Sequence, residues 1–237
     1  MKSMSILALL LTGSLLCCNR NDAYLPHKLV ITSDFNSVRR GKTIEDVHAV
    51  AQIMISAKPD ILALDATACG LVNYRSEIGF LIPWSNFDAL FEAGIEPFRM
   101  IVDTLRNHGI TVLANVRMND HHGRLVQWTP WEREHKEWSL AEDTGARDWK
   151  SIGALRQMDY AIEGLRNYRF SILEEILEKF DIDGLQLDFG RTAPFLSEPK
   201  AENARFMTEY VRDIRQLLDE TARNRQREKM LLGVIVP

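Results

Sequence analysis

Acidic, amide and guanidinium side chains recur in this chain where short apolar runs stop. Those residue types can move protons or hold a polar ligand. Asp34 follows Leu29-Val30-Ile31-Thr32-Ser33, and Asp65 follows Ile61-Leu62-Ala63-Leu64. Asn115, Arg117 and Asn119 alternate with Ala114, Val116 and Met118, while Gln186 and Asp188 alternate with Leu185, Leu187 and Phe189. Successive side chains of a strand point to opposite sides, so each run has one apolar and one polar face. A carboxyl group on such a face can serve as acid, base or nucleophile once burial or a nearby charge tunes it. Arg117 and Arg191 can keep a carboxylate ionised or hold ligand hydroxyls. For Asp34 and Asp65 a plainer role stands beside the chemical one, since an Asp after a strand often caps the next helix or pairs with an Arg. His121-His122 beside Asp120 lacks the spaced pattern of a convincing metal site, so no metal or cofactor is expected.

Positioning these groups requires alternating strands and helices. Apolar runs predict strands at 29–34, 60–65, 110–117, 184–189 and 230–236, with strand two ending at Asp65. Four amphipathic stretches between them carry helical spacing. Thr43 with Asp46 opens the first, Pro97 opens the second and Gly109 closes it, and the third buries Phe170, Leu173, Ile176 and Leu177. The fourth carries Phe206, Tyr210, Ile214 and Leu218. Long connections run from Ala66 to Gly94 and from strand three to about Asn167. Repeated strand–helix units without a dinucleotide glycine fingerprint favour a (β/α)₈ barrel over a Rossmann sheet. A full barrel takes about 250 residues, so these 237 residues predict its N-terminal part: five strands, four helices, incomplete.

The formal charge of −4 comes from mixed acids and bases, which argues against a nucleic-acid partner. Lys2, the apolar run Ile6 to Leu11 and the small residues after it describe an export signal over residues 1–18. The run is shorter than the roughly 20 residues of a membrane span. Cys18 fits the lipid-modified cysteine of a bacterial lipoprotein better than Cys17, and a simple secretory signal is the other reading. The mature protein is thus expected outside the cytoplasm: periplasmic, on the outer surface or extracellular. A membrane enters only through the signal or a lipid on Cys18. A short linker, 19–28, precedes the barrel domain at 29–237. Cys69 is the only cysteine in that domain, so a disulfide framework is excluded.

Three segments together resemble the glycosyl-hydrolase-like ten family of exported bacterial barrel proteins. They are Ala114 to His121, Trp131 to Trp138, and Asp181 to Arg191, and the resemblance extends from about Leu29 to the end. It implies a protein that acts on, or only binds, an extracytoplasmic polysaccharide or oligosaccharide. The Asp183–Asp188 frame, Asp-Gly-x-x-x-Asp, recurs on strand four of other sugar-cleaving barrels. In chitinase-like enzymes an acid catalyst follows two residues later, where this chain has Gly190. In amylase-like enzymes an Arg precedes the second Asp by two residues, where it has Gln186. Asp188 is therefore the leading catalytic candidate. Glycoside cleavage needs a second carboxyl group, about 5–5.5 Å away for retention or about 6.5–9.5 Å for inversion. A later strand is expected to supply it, so the chain as it stands is expected to be inactive. The substrate-binding candidates are Asp34, Asn115, Arg117, Asn119, Asp120, His121, Trp128, Trp131 and Arg191. Trp128, Trp131, Trp138 and Trp149 can stack on sugar faces or form a private core for their loop; both readings are open.

Overall fold

A computed structural model of the chain describes residues 28–83, 85–120, 129–140, 157–191, 193–198 and 200–236. Its elements run β1 (Val30–Ser33), α1 (Asn36–Arg40), α2 (Ile44–Ser56), β2 (Ile61–Ala68), β3 (Leu71–Val72), α3 (Asp88–Glu92) and α4 (Pro97–Asn107). They continue with β4 (Thr111–Arg117), α5 (Pro130–Glu134), α6 (Glu163–Lys179), β5 (Gly184–Asp188), α7 (Ala204–Asn224) and β6 (Leu231–Ile235). The sheet order is β1-β2-β4-β5-β6, every neighbouring pair parallel, with β3 antiparallel to β2. This is the wall of a partial (β/α) barrel, as the alternation of runs predicts.

Local chemistry explains the helix starts. Thr43 accepts from the Asp46 N–H at 3.2 Å while the Asp46 carboxylate accepts from the Thr43 N–H at 3.1 Å, a reciprocal cap for α2. Pro97 occupies the first turn of α4, where a missing N–H costs nothing. Gly109 leaves α4 at φ +75°, a conformation without steric penalty only for glycine.

Alternation along the strands then builds the core. Val112, Ala114 and Val116 of β4 and Leu185 and Leu187 of β5 join one buried cluster with Ile101 and Leu105 of α4, Leu173 and Ile176 of α6, and Ile214 and Leu218 of α7. The opposite parity of the same strands carries the polar residues. Gly184 is fixed by crowding: a Cβ there would lie 2.1 Å from the Leu231 carbonyl oxygen. Beneath the sheet, Arg106 and Arg227 pair with both Asp181 and Asp183. Asp183, the first acid of the sequence frame, also accepts from the Val112 N–H at 2.9 Å and so ties β4 to β5 at the end opposite Asp188.

Several expected boundaries need correction. Strand two does not stop at Asp65; β2 continues to Ala68, with a register shift between Asp65 and Thr67. The Ala66–Gly94 connection holds β3 and α3, and α1 lies between β1 and α2, so the described helices outnumber the four expected. Short helices of five residues carry too little periodicity to be seen in a sequence window. At the sheet's outer strands, Val30, Leu231, Val234 and Val236 are exposed. Beside β6 an apolar cavity of about 410 Å³ is lined by Phe189, Phe195, Met207, Val211, Val234 and Val236. No described helix is long and apolar enough to cross a membrane.

Candidate active site

The curl of the sheet decides what its inner face can do. Asp65, Asn115 and Gln186 are register partners on β2, β4 and β5, and Arg117 and Asp188 are partners two residues farther along. Gln186 Nε2 donates to Asn115 Oδ1 at 3.0 Å and also to Thr32 Oγ1 on β1 at 2.9 Å. That second bond joins strands separated by two others in the sheet order, so the wall bends until β1 and β5 face one another.

Arg117 is the hub of the mouth. Its Nη2 lies 2.6 Å from Asp65 Oδ2 and its Nη1 2.8 Å from Asp120 Oδ2, while Asn115 Nδ2 donates to Asp65 Oδ1 at 2.5 Å. Both carboxylates are buried, at 1% and 0% side-chain exposure. Burial alone would lower the Arg117 pKa, but the two carboxylates more than offset that and hold it charged. Asp65 feels the opposite balance: burial pushes its carboxyl up to about 6, outweighing Arg117 and Asn115.

A stability dependence on pH follows. The native value of about 6 exceeds the ordinary 3.8, so the native state keeps a proton that the unfolded chain has already lost. Stability from this group is present below about pH 4 and lost as the pH rises through about 6. Asp65→Asn cannot ionise, so its stability relative to the parent should rise by about 2 kcal/mol between pH 4 and pH 7. Denaturant midpoints of both proteins across that range test this. A gap that stays constant with pH would refute it.

Asp188 stands at the C-terminal end of β5, 7% exposed, with Oδ1 accepting from the Gly190 N–H at 2.9 Å. Its register partner Arg117 turns to Asp65 and Asp120 instead, and Arg191 lies 3.8 Å from Asp120. Asp188 makes no ion pair among the described residues. The other candidates divide. Asp34 accepts from the N–H and the side chain of Asn36 at 3.1 and 2.7 Å, which places it at the entry of α1. Asn119 bonds the backbone of Met158 in both directions and the Pro194 carbonyl, fastening two later segments to the end of β4. Trp131 stacks on Tyr168 at 3.8 Å and on His135 at 4.6 Å, with Trp138 at its edge, so its ring is occupied by its neighbours. His121, Trp128, Trp149 and Cys18 lie outside the described residues.

Asp65 is the group that residue types alone undervalued. Reading on through Ala66-Thr67-Ala68 as strand places Asp65 and Thr67 on one face, beside Asn115 and Arg117; the Arg117 N–H does donate to Thr67 Oγ1 at 3.1 Å. Asn73 is a second supporting residue. It donates to the Asp65 carbonyl at 2.8 Å and accepts from the buried Arg39 at 2.7 Å. Nothing in the local sequence marks that link, because it depends on the β2–β3 hairpin. Cys69 sits in the same hairpin at φ +55°, its N–H directed at Asp120 and its thiol pushed up to about 11 by burial and then by Asp120. No three His, Cys, Asp or Glu residues among those described are grouped to hold a metal.

Known structures share this architecture. The glycoside hydrolase domain of PgaB (BpsB) from Bordetella bronchiseptica superposes with a TM-score of 0.56 at 12% identity, over 88% of this chain and 65% of that one. A hypothetical protein from Ruminiclostridium thermocellum gives 0.54 at 17% identity, covering 88% and 97%. Alpha-L-fucosidase isoenzyme 2 from Paenibacillus thiaminolyticus gives 0.53 at 12%, covering 88% and 32%. What they share with this chain is the (β/α) barrel fold. This chain spans less than two thirds of either named hydrolase chain. No family model matches the sequence, and no curated protein matches it.

Proposed function

We propose that this is a glycoside hydrolase-like protein of the extracytoplasmic space that binds a polysaccharide at the C-terminal mouth of its sheet, with Asp188 as the catalytic carboxylate. One observation carries the reading. Asp188 is a buried carboxylate with no ion-pair partner among the described residues, on a strand end where barrel enzymes place their chemistry, while its register partner Arg117 is engaged with Asp65 and Asp120. A buried charge left unpaired is costly, and folds retain such groups where they are used. The barrel neighbours and the resemblance to the glycosyl-hydrolase-like ten family support the carbohydrate part; the export signal at 1–18 supports the location.

Binding without turnover is the second reading, and it has its own support. The other buried acids of the mouth, Asp65 and Asp120, are both held by Arg117, so neither is free to serve as the second carboxyl group. Incubation with a panel of polysaccharides separates the cases: new reducing ends mark an enzyme, retention without them marks a binder. A protein that neither cleaves nor retains any of them would sink both. Mass spectrometry of the natively produced protein should find residues up to about Cys17 removed; an intact Met1 in the cytosol would remove the extracytoplasmic part.

A further inference from the structure

Three guanidinium groups converge on the mouth, and internal contacts account for two. Arg39 is buried and bonded to Asn73 and Asn36. Arg117 is bonded to Asp65 and Asp120. Arg191 differs from both. Its side chain is 43% exposed, and its ionic partner among the described residues is Asp120, with Nε 3.8 Å from Oδ1. That distance is too long for a hydrogen bond, and Asp120 already takes Arg117 at 2.8 Å. Among the described residues Arg191 is thus the surplus cation of the mouth, with no hydrogen bond from its planar fork of donors.

Its position makes that surplus useful. Arg191 lies three residues beyond Asp188, on the turn that begins with the Gly190 N–H bonded to the Asp188 carboxylate. A guanidinium fork matches two oxygens of a planar or tetrahedral anion, which gives both direction and strength. A neutral sugar hydroxyl would use only part of it.

We propose that Arg191 is a specificity residue that receives the anionic substituent, a uronate carboxylate or a sulfate ester, of an acidic glycan bound beside Asp188. This rests on the carbohydrate reading above. The test is calorimetric titration of the whole protein with four hexasaccharides: oligogalacturonate, a sulfated galactan, neutral galactan and chitosan. At least one anionic hexamer should bind about tenfold more tightly than neutral galactan, and which one it is identifies the substituent. Arg191→Gln should abolish that preference with an unchanged melting midpoint, and Arg191→Lys should keep part of it. Equal or tighter binding of the neutral or cationic hexamer overturns the proposal and leaves the carbohydrate reading intact. A preference that survives in Arg191→Gln overturns the role of Arg191. Failure of all four hexamers to bind overturns both.

Discussion

In a longer form of the protein that shows glycosidase activity, Asp188→Asn should lower turnover by about 10²–10⁴-fold while leaving the fold in place. The variant is clean because the hydrogen bond that the Asp188 carboxylate accepts from the Gly190 N–H can be accepted equally by an amide oxygen. It is clean also because no ion pair is broken among the described residues. What the amide loses is chemical: it can neither release an acidic proton nor attack as a nucleophile. Reducing-end assays of the parent and variant on the best substrate of the panel, with melting midpoints alongside, give the answer. Undiminished turnover removes Asp188 from the chemistry. A fall in melting midpoint that accounts for the lost activity would assign it a structural role instead.

Arg117→Met should cost about 3–5 kcal/mol of folding stability at neutral pH. The methionine fills similar space but leaves the Asp65 carboxylate buried without its guanidinium, and takes from Asp120 its 2.8 Å contact with Arg117. An exposed pair would be worth far less, but these acids are among the most buried polar groups of the sheet. The double variant Arg117→Met with Asp65→Asn should recover part of the loss, because it removes the stranded charge as well as its partner. Denaturant unfolding of the three proteins measures this. A cost below about 1 kcal/mol for the single variant would mean that the hub is solvated, contrary to its burial.

Much of the fold was legible because parallel strands and their covering helices obey two different periods. Val112, Ala114 and Val116, or Leu185 and Leu187, could be assigned to the helix side by parity alone, and the core cluster contains them all. The same parity put Asn115, Arg117, Gln186 and Asp188 together on the other side. What it could not supply was the pairing of side chains across the bore. That Arg117 would choose Asp65 and Asp120 over its own register partner depends on the extra residues of β2 and on the bulge near Ala66. Asp65-Ala66-Thr67 reads as a strand end because an Asp usually closes one. The small structural pieces, β3 and α3, were hidden for another reason: their burial comes from tertiary contacts, not from any repeat in the chain.

The hydrogen bond from Gln186 to Thr32 has a consequence for how a ligand could lie. It crosses the lumen two residues below the level of Asp188, and with Asn115 and Asp65 beside it forms a polar floor. A ligand held beside Asp188 would meet these side chains, not open space, on the side toward the N-terminal ends of the strands.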